Sequence, residues 1–282
     1  MNRLKASLRR AFWRLGRSIY MRAQGEQSVG DMQVNGEAHF MKCVVENNSG
    51  GESLIVLDVG ANKGDWTKMF LDAIALRGET ATRIALHAFE PVPSTACIFR
   101  DRVAEMPGHE VVELHQVAMS DASGLAEIGV FADGAGTNSL HFASDERVPQ
   151  EEIEVELSSL DEFCERTSLN HIHLVKCDTE GHDAKVLRGA CGLLKKESID
   201  VLQFEYNHRW VFGHAFLKDI FELVEGLPYT IVRLDGAGVT AFDTWHPELE
   251  RFFQSNYALV HDRAMGWFSV HKGHFDNSNT YA

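Results

Sequence analysis

Four clusters of carboxylates, amides and histidines stand where apolar runs of this sequence end. Asp58-Val59-Gly60-Ala61-Asn62-Lys63-Gly64-Asp65 follows directly on the run Leu54-Ile55-Val56-Leu57. Glu90-Pro91 closes a second run, Lys176-Cys177-Asp178-Thr179-Glu180-Gly181-His182 a third, and Phe204-Glu205-Tyr206-Asn207-His208-Arg209-Trp210 a fourth. The Gly60-x-Asn62-x-Gly64 turn lets backbone approach a ligand closely, with a helix N-terminus just beyond it. It is not the dinucleotide G-x-G-x-x-G fingerprint, and no Gly-Lys-Ser/Thr follows to make a phosphate loop. A carboxylate at a second strand end, here Glu90, is where hydrogen bonds from a ribose diol are accepted. Two carboxylates at i and i+2 after a buried strand, Asp178 and Glu180, are costly unless paired, solvated or used.

The elements that must hold these residues follow from periodicity. Residues 54–57 form a short β-branched run suited to a strand buried on both faces. Trp66, Met69, Phe70, Ala73 and Ile74 then recur at helical spacing. Further strands are predicted at 84–89, 111–117, 172–177 and 201–204, and helices at 95–104, at 184–194 and through Phe216, Leu217, Ile220, Phe221 and Val224. The stretch 124–157 breaks that rhythm with two strand-like pieces, 126–131 and 153–157, around Gly134-Ala135-Gly136-Thr137-Asn138-Ser139-Leu140, which reads as an inserted hairpin or flap. Residues 230–234 and 257–260 add edge strands. The expected fold class is α/β, a doubly wound sheet with an inserted hairpin and a basic N-terminal helix. The expected organisation is an N-terminal extension and connector over 1–49, with one strand or helix within 26–48, and a catalytic domain over 50–282. Ligands of such sheets bind outside the carboxyl ends of the strands, where all four clusters lie.

Composition narrows the class of protein. The chain has 282 residues, 44% hydrophobic and 24% charged, enough for a sizeable core. No apolar run approaches the roughly 18 residues of a membrane span. The five cysteines are scattered without a C-x-x-C pair, which points to reduced thiols and a cytoplasmic protein rather than a disulfide scaffold or zinc knuckle. The net charge of −14 is unevenly spread: residues 1–25 carry seven basic residues and no acid. So acidic a remainder would repel a phosphate backbone, and the expectation is no nucleic-acid partner. Leu4, Leu8, Phe12, Leu15 and Ile19 lie on one face of the basic head. Such a helix either lies peripherally on an anionic membrane or docks on its own domain or a twin subunit.

Because Asp65 rather than a base opens the first helix, the Asp58–Gly64 turn suits a ligand with a ribose and a cation and disfavours pyrophosphate. S-adenosylmethionine has both, in its ribose and its ammonium and sulfonium centres. The ordered blocks Leu57–Gly64, Ala88-Phe89-Glu90-Pro91, Val117-Ala118-Met119-Ser120-Asp121, Ser159-Leu160-Asp161 and Leu174–Gly181 resemble FkbM-type methyltransferases. That resemblance implies a class I methyltransferase sheet and S-adenosylmethionine as cofactor. By position, Asp58, Gly60, Asn62 and Gly64 would cradle the methionine part, Glu90 the ribose, and the backbone at Val117 and Ala118 would face the adenine. Asp178, Glu180 and His182 would border the methyl group, with Glu205, Asn207 and His208 across the cleft. Cys177 and His182 depart from the family's usual residues, both on the acceptor side. The implied reaction is O-methylation of a sugar hydroxyl in a glycan, glycolipid or glycosylated natural product, and the candidate bases are Asp178, His182 and His208, in that order. N-methylation of a small amine and a nicotinamide-dependent oxidation are the alternatives. A divalent cation on Asp178, Glu205 and Asn207 is the less favoured reading, and the His171-x-His173 pair reads as a surface turn.

Overall fold

The structure, a computed structural model, describes residues 2–23, 30–48, 53–76, 84–131, 138–141 and 148–280. The run at 54–57 becomes β1 (Leu54–Val59), buried along its whole length. It is flanked by β2 (Ile84–Phe89) and β7 (Leu174–Cys177), both parallel to it. Parallel pairing continues outward to β3 (Val112–His115) on one side and β8 (Val201–Tyr206) on the other. β11 (Ser255–His261) pairs with both β8 and β9 (Tyr229–Leu234), and β10 (Val239–Phe242) and β12 (Val270–Lys272) complete the order β12-β10-β9-β11-β8-β7-β1-β2-β3. Beyond β8 the pairing is antiparallel as far as β10, and β12 joins β10 in parallel. Residues 229–234 and 255–261 are therefore interior strands, not the edge strands expected. Both are largely buried, and β12 and β3 form the two edges of the sheet instead.

Helices cover both faces. α3 (Asp65–Ala75) buries Trp66, Thr67, Phe70, Leu71 and Ile74, and α4 (Pro93–Ala104) buries Phe99 and Val103 beside it. On the other face lie α5 (Leu160–Thr167), α6 (Asp183–Arg188), α7 (Cys191–Lys195) and α8 (Leu217–Leu223). The single helix expected over 184–194 is split at Gly189, where a Cβ would stand 2.0 Å from the Ser120 carbonyl oxygen. The stretch read as connector contains α2 (Glu37–Asn47), whose Phe40, Met41, Val44 and Val45 enter the core. Glu37 of this helix accepts hydrogen bonds from Gln203 (2.9 Å) and Asn256 (3.2 Å), so it belongs to the packed body that the boundary at residue 50 leaves it out of.

The expected insertion is a small second sheet. β5 (Gly124–Val130) and β6 (Glu151–Ser159) pair antiparallel, and β4 (Ala118–Ser120) joins β6 in parallel. Of the glycine-rich tip, residues 134–137 lie outside the described residues. Asn138 to Leu140 fold back, with Ser139 bridged to Gly129 and the Asn138 Oδ1 accepting the Phe131 N–H at 3.0 Å.

α1 (Asn2–Ala23) is the basic helix, and it leaves Leu8, Phe12, Trp13, Leu15 and Ile19 exposed. It touches the body near its C-terminal end: the Tyr20 hydroxyl donates to Glu248 at 2.7 Å, and the Arg17 guanidinium sits 4.9 Å from the Phe253 ring centroid. Exposed contacts of this kind are worth at most about 1 kcal/mol, so removing residues 1–23 should shift Tm by no more than about 4 °C. Differential scanning fluorimetry of the shortened chain checks this. No helix among the described residues is long and apolar enough to cross a membrane.

Candidate functional site

The parallel register brings the carboxyl ends of β1, β2 and β7 level with one another. Asp58 pairs with Ala88 on one side and Lys176 on the other, so the turns after all three strands open onto one cleft. The Gly60 and Ala61 N–H groups donate to the Phe89 carbonyl, each at 3.0 Å, and the Asp178 N–H donates to the Val59 carbonyl at 3.0 Å. These bonds lace the turns together. Gly60 has φ +79°, and a Cβ there would lie 2.0 Å from the Asp178 carbonyl oxygen, so only glycine fits. The cleft is open at its mouth and encloses a cavity volume of about 150 Å³.

Of the residues singled out from sequence, Gly60, Asn62, Glu90, Val117, Ala118, Asp178, Glu180 and His182 all line this cleft. Glu90 is buried, and its two oxygens accept the N–H groups of Asn62 (3.1 Å) and Val92 (3.0 Å). Burial pushes its carboxyl up to about 7 against the lowering effect of those two amides. Asn62 and Glu180 adopt positive φ, 47° and 56°, a conformation that non-glycine residues hold only when the surroundings fix it. The buried Asn62 Oδ1 has no hydrogen-bond partner, which leaves an acceptor at the cleft wall for a donor from outside the chain.

Around Asp178 the charges are densely paired. Its Oδ2 accepts from the Lys176 Nζ at 2.8 Å. Burial opposes the charge on Lys176, but the carboxylates of Asp178, Glu37 and Asp58 outweigh it and raise the ammonium's pKa. Glu180 is ion-paired with Arg209, yet burial and then Asp178 push its carboxyl up to about 8. Asp183 sits under the turn, accepting the Gly181 N–H at 3.2 Å, and burial raises it to about 6. His182 lies 2.9 Å from the Ser120 Oγ and 3.1 Å, through its Nδ1, from the Nε2 of His141 on the insertion. Burial first, and then His141 and Lys185, push its ring down to about 3, so the imidazole is neutral near pH 7.

Other sequence candidates are placed elsewhere. Asp58 lies fully buried behind the turn, where it accepts the Thr67 hydroxyl at 2.7 Å and is pushed up to about 6 by burial. Gly64 packs against Phe99 and Val103 at the start of α3. Glu205 and Asn207 bond to each other at 2.6 Å, and Gln254 also donates to Glu205, so their oxygens are engaged within the chain. His208 is exposed and outside the cleft lining. The His171–His173 pair meets Asp200: His171 Nε2 is 2.8 Å from Asp200 Oδ2, and the Ile55 N–H donates to His173 Nδ1 at 3.0 Å. Sequence reasoning gave no role to Thr179, Met119, Ile128 and Leu140 in the lining and missed the His141 contact. Thr179, Met119 and Leu140 lay inside stretches singled out above, but His141 comes from a hairpin whose return path no local signal gives.

The doubly wound sheet, its antiparallel β11 and a ligand cleft at the ends of β1 and β2 define a class I methyltransferase fold. Residues 58–231, more than half of the chain, match the methyltransferase FkbM domain, and the chain belongs to that family. No curated protein sequence matches it. An FkbM methyltransferase structure from Methylobacillus flagellatus KT aligns with a TM-score of 0.47 at 13% identity, over 77% of this chain and 47% of that one. This chain thus spans about half the length of that protein. An rRNA methylase from Streptococcus thermophilus aligns at 0.41 and 12% identity, covering 79% of this chain and 93% of its own. The 23S rRNA methyltransferase ErmE aligns at 0.38 and 13% identity, covering 79% and 67%. These two correct one expectation: since chains similar in fold include rRNA methylases, an acidic body is no ground for excluding nucleic acid as a partner.

Proposed function

We propose that this protein is an S-adenosylmethionine-dependent O-methyltransferase that acts on a sugar hydroxyl of a glycan, glycolipid or glycosylated natural product. One observation carries the reading: Asn62, Glu90, Asp178 and Glu180, from the ends of three parallel strands, line one cleft. The acceptor oxygens suit the cofactor, because its ribose hydroxyls and ammonium are donors and the buried Asn62 Oδ1 lacks one. Glu90 would hold the ribose, the Gly60–Asn62 turn the amino-acid part, and Val117 and Ala118 the adenine. When bound, the cofactor supplies an electrophilic methyl group on a sulfonium. Asp178 would take the proton from the attacking hydroxyl, and Lys176 holds that carboxylate in place at 2.8 Å. His182, neutral and bonded on both sides, orients the acceptor rather than accepting its proton. The insertion, through Asn138 and Leu140, helps to exclude water.

Titration calorimetry with S-adenosylmethionine and its demethylated product tests the cofactor, and labelled cofactor with fractionated glycans followed by mass spectrometry tests the acceptor. Absence of heat for both ligands overturns the whole reading, whereas label only on amines overturns the O-methyl assignment. Glu90→Gln should weaken cofactor binding by about 10- to 100-fold, the value of a hydrogen bond to a charged group. Affinity should also depend on pH. Ribose donors and a cation favour the ionised carboxylate, so binding pulls the Glu90 pKa below its free value of about 7. Protons are then released on binding below that pH, and affinity should climb about tenfold between pH ~6 and ~8. Calorimetry in buffers of different ionisation enthalpy reads that release directly.

A further inference from the structure

Away from the cleft, β2 and β3 carry a second set of groups that this reaction does not use. His87 and Glu113 are register partners on adjacent parallel strands, and His115 follows two residues on, so all three project from one face of the sheet. The His87 Nδ1 lies 3.1 Å from the His115 Nε2 and 3.4 Å from the Glu113 Oε2. The Glu113 Oε1 is 3.9 Å from the same His115 nitrogen. Ligand atoms at roughly 2.0–2.1 Å from a tetrahedral zinc ion are about 3.3–3.4 Å from one another. The triad therefore already has nearly the spacing of a bound ion.

The rings are held in place by aromatic packing. The Phe163 ring of α5 meets His87 and His115 edge-on at 5.5 and 4.9 Å, and His115 stacks on Phe89 at 5.1 Å. The imidazole side chains are 11% and 18% exposed while Glu113 is 67% exposed. The nitrogens are thus shielded, and the carboxylate can move to admit an ion. Two nitrogens and one oxygen suit borderline ions such as zinc rather than magnesium or calcium, which take oxygen ligands. One feature opposes the site: the charge of Arg166, on α5, acts on His115. The other group of this kind, His171, His173 and Asp200, is less suited. There the Ile55 N–H occupies the His173 Nδ1 and puts the ring proton on Nε2, and Asp200 already holds Arg263 and His171.

We propose that His87, His115 and Glu113 bind a zinc-class divalent ion at the open edge of the sheet, with water completing its coordination. Such an ion ties the edge strand β3 to β2 next to Phe89, a residue of the cleft lining. Its role is structural, independent of methyl transfer.

The test uses the tag-free full chain, loaded with zinc, desalted and analysed by plasma mass spectrometry, with affinity read by competition with a chromophoric chelator. About one ion per chain is expected, with a Tm rise of roughly 5 °C at a hundredfold excess over Kd and none with magnesium. Glu113→Gln, an exposed change that leaves the packing intact, should weaken binding at least about tenfold. Arg166→Gln should tighten it. Zinc-edge absorption spectroscopy should show two imidazole ligands. A chain that retains no zinc overturns the proposal, as does zinc whose affinity is unmoved by both Glu113→Gln and Arg166→Gln.

Discussion

Asp178→Asn should lower kcat by about 10²- to 10⁴-fold at saturating cofactor, the range lost when a positioned base is removed. The amide has the same shape but takes no proton. Asp178 lines the cleft with its side chain 35% exposed, so it is open to an acceptor, and Lys176 holds one of its oxygens at 2.8 Å. The change also removes one anion from beside a buried ammonium. Asp58 and Glu37 still act on Lys176, so the cost in stability should be on the order of 1–3 kcal/mol rather than a failure to fold. Single-turnover methyl transfer separates the two effects, with cofactor affinity measured alongside by calorimetry. An unchanged rate in a well-folded Asp178→Asn protein would remove Asp178 as the base.

The largest stability effect should come from one methyl group. In Gly60→Ala the new Cβ would lie 2.0 Å from the Asp178 carbonyl oxygen and 2.9 Å from its carbon, at a φ of +79°. The backbone conformation alone costs about 1 kcal/mol for alanine. The overlap is with main chain, which cannot rotate aside, so the ends of β1 and β7 must separate. The total should exceed about 4 kcal/mol, a magnitude that single substitutions seldom reach. Gly64→Ala is the control. Its φ is +81°, but the new atom would meet the Phe99 ring and a Val103 methyl at 3.1 Å. Those side chains can yield, and about 1–2 kcal/mol is expected. Urea denaturation of the two variants reads the difference, and near-equal midpoints would show that the turn is looser than its geometry implies.

The centre of the parallel half was legible because β1, β7 and β8 are buried along their whole length and therefore appear as largely apolar runs. Each such run ends in the polar turn that faces the cleft, so Gly60, Asn62, Glu90, Asp178 and Glu180 could be found from position alone. The antiparallel half was harder. Nothing in 255–261 announces that it lies between β8 and β9, because the neighbours of a strand are chosen by packing over the whole chain. α2 was legible only as one strand or helix within 26–48, because Glu37 is used inside the body to bond Gln203 and Asn256 rather than facing water. The split between α6 and α7 came from a contact between Gly189 and the Ser120 carbonyl, two positions far apart in sequence. His141 reaches His182 only because a hairpin folds back over the strand ends.

The position of β11 has a consequence for biosynthesis. A nascent chain leaving the ribosome offers β8 and β9 well before residues 255–261 emerge to fill the gap between them. Until those residues emerge, the facing edges of both strands present unsatisfied backbone to solvent, open to pairing with neighbouring nascent chains on the same message. Premature termination anywhere before residue 255 should therefore yield aggregates rather than a smaller working enzyme.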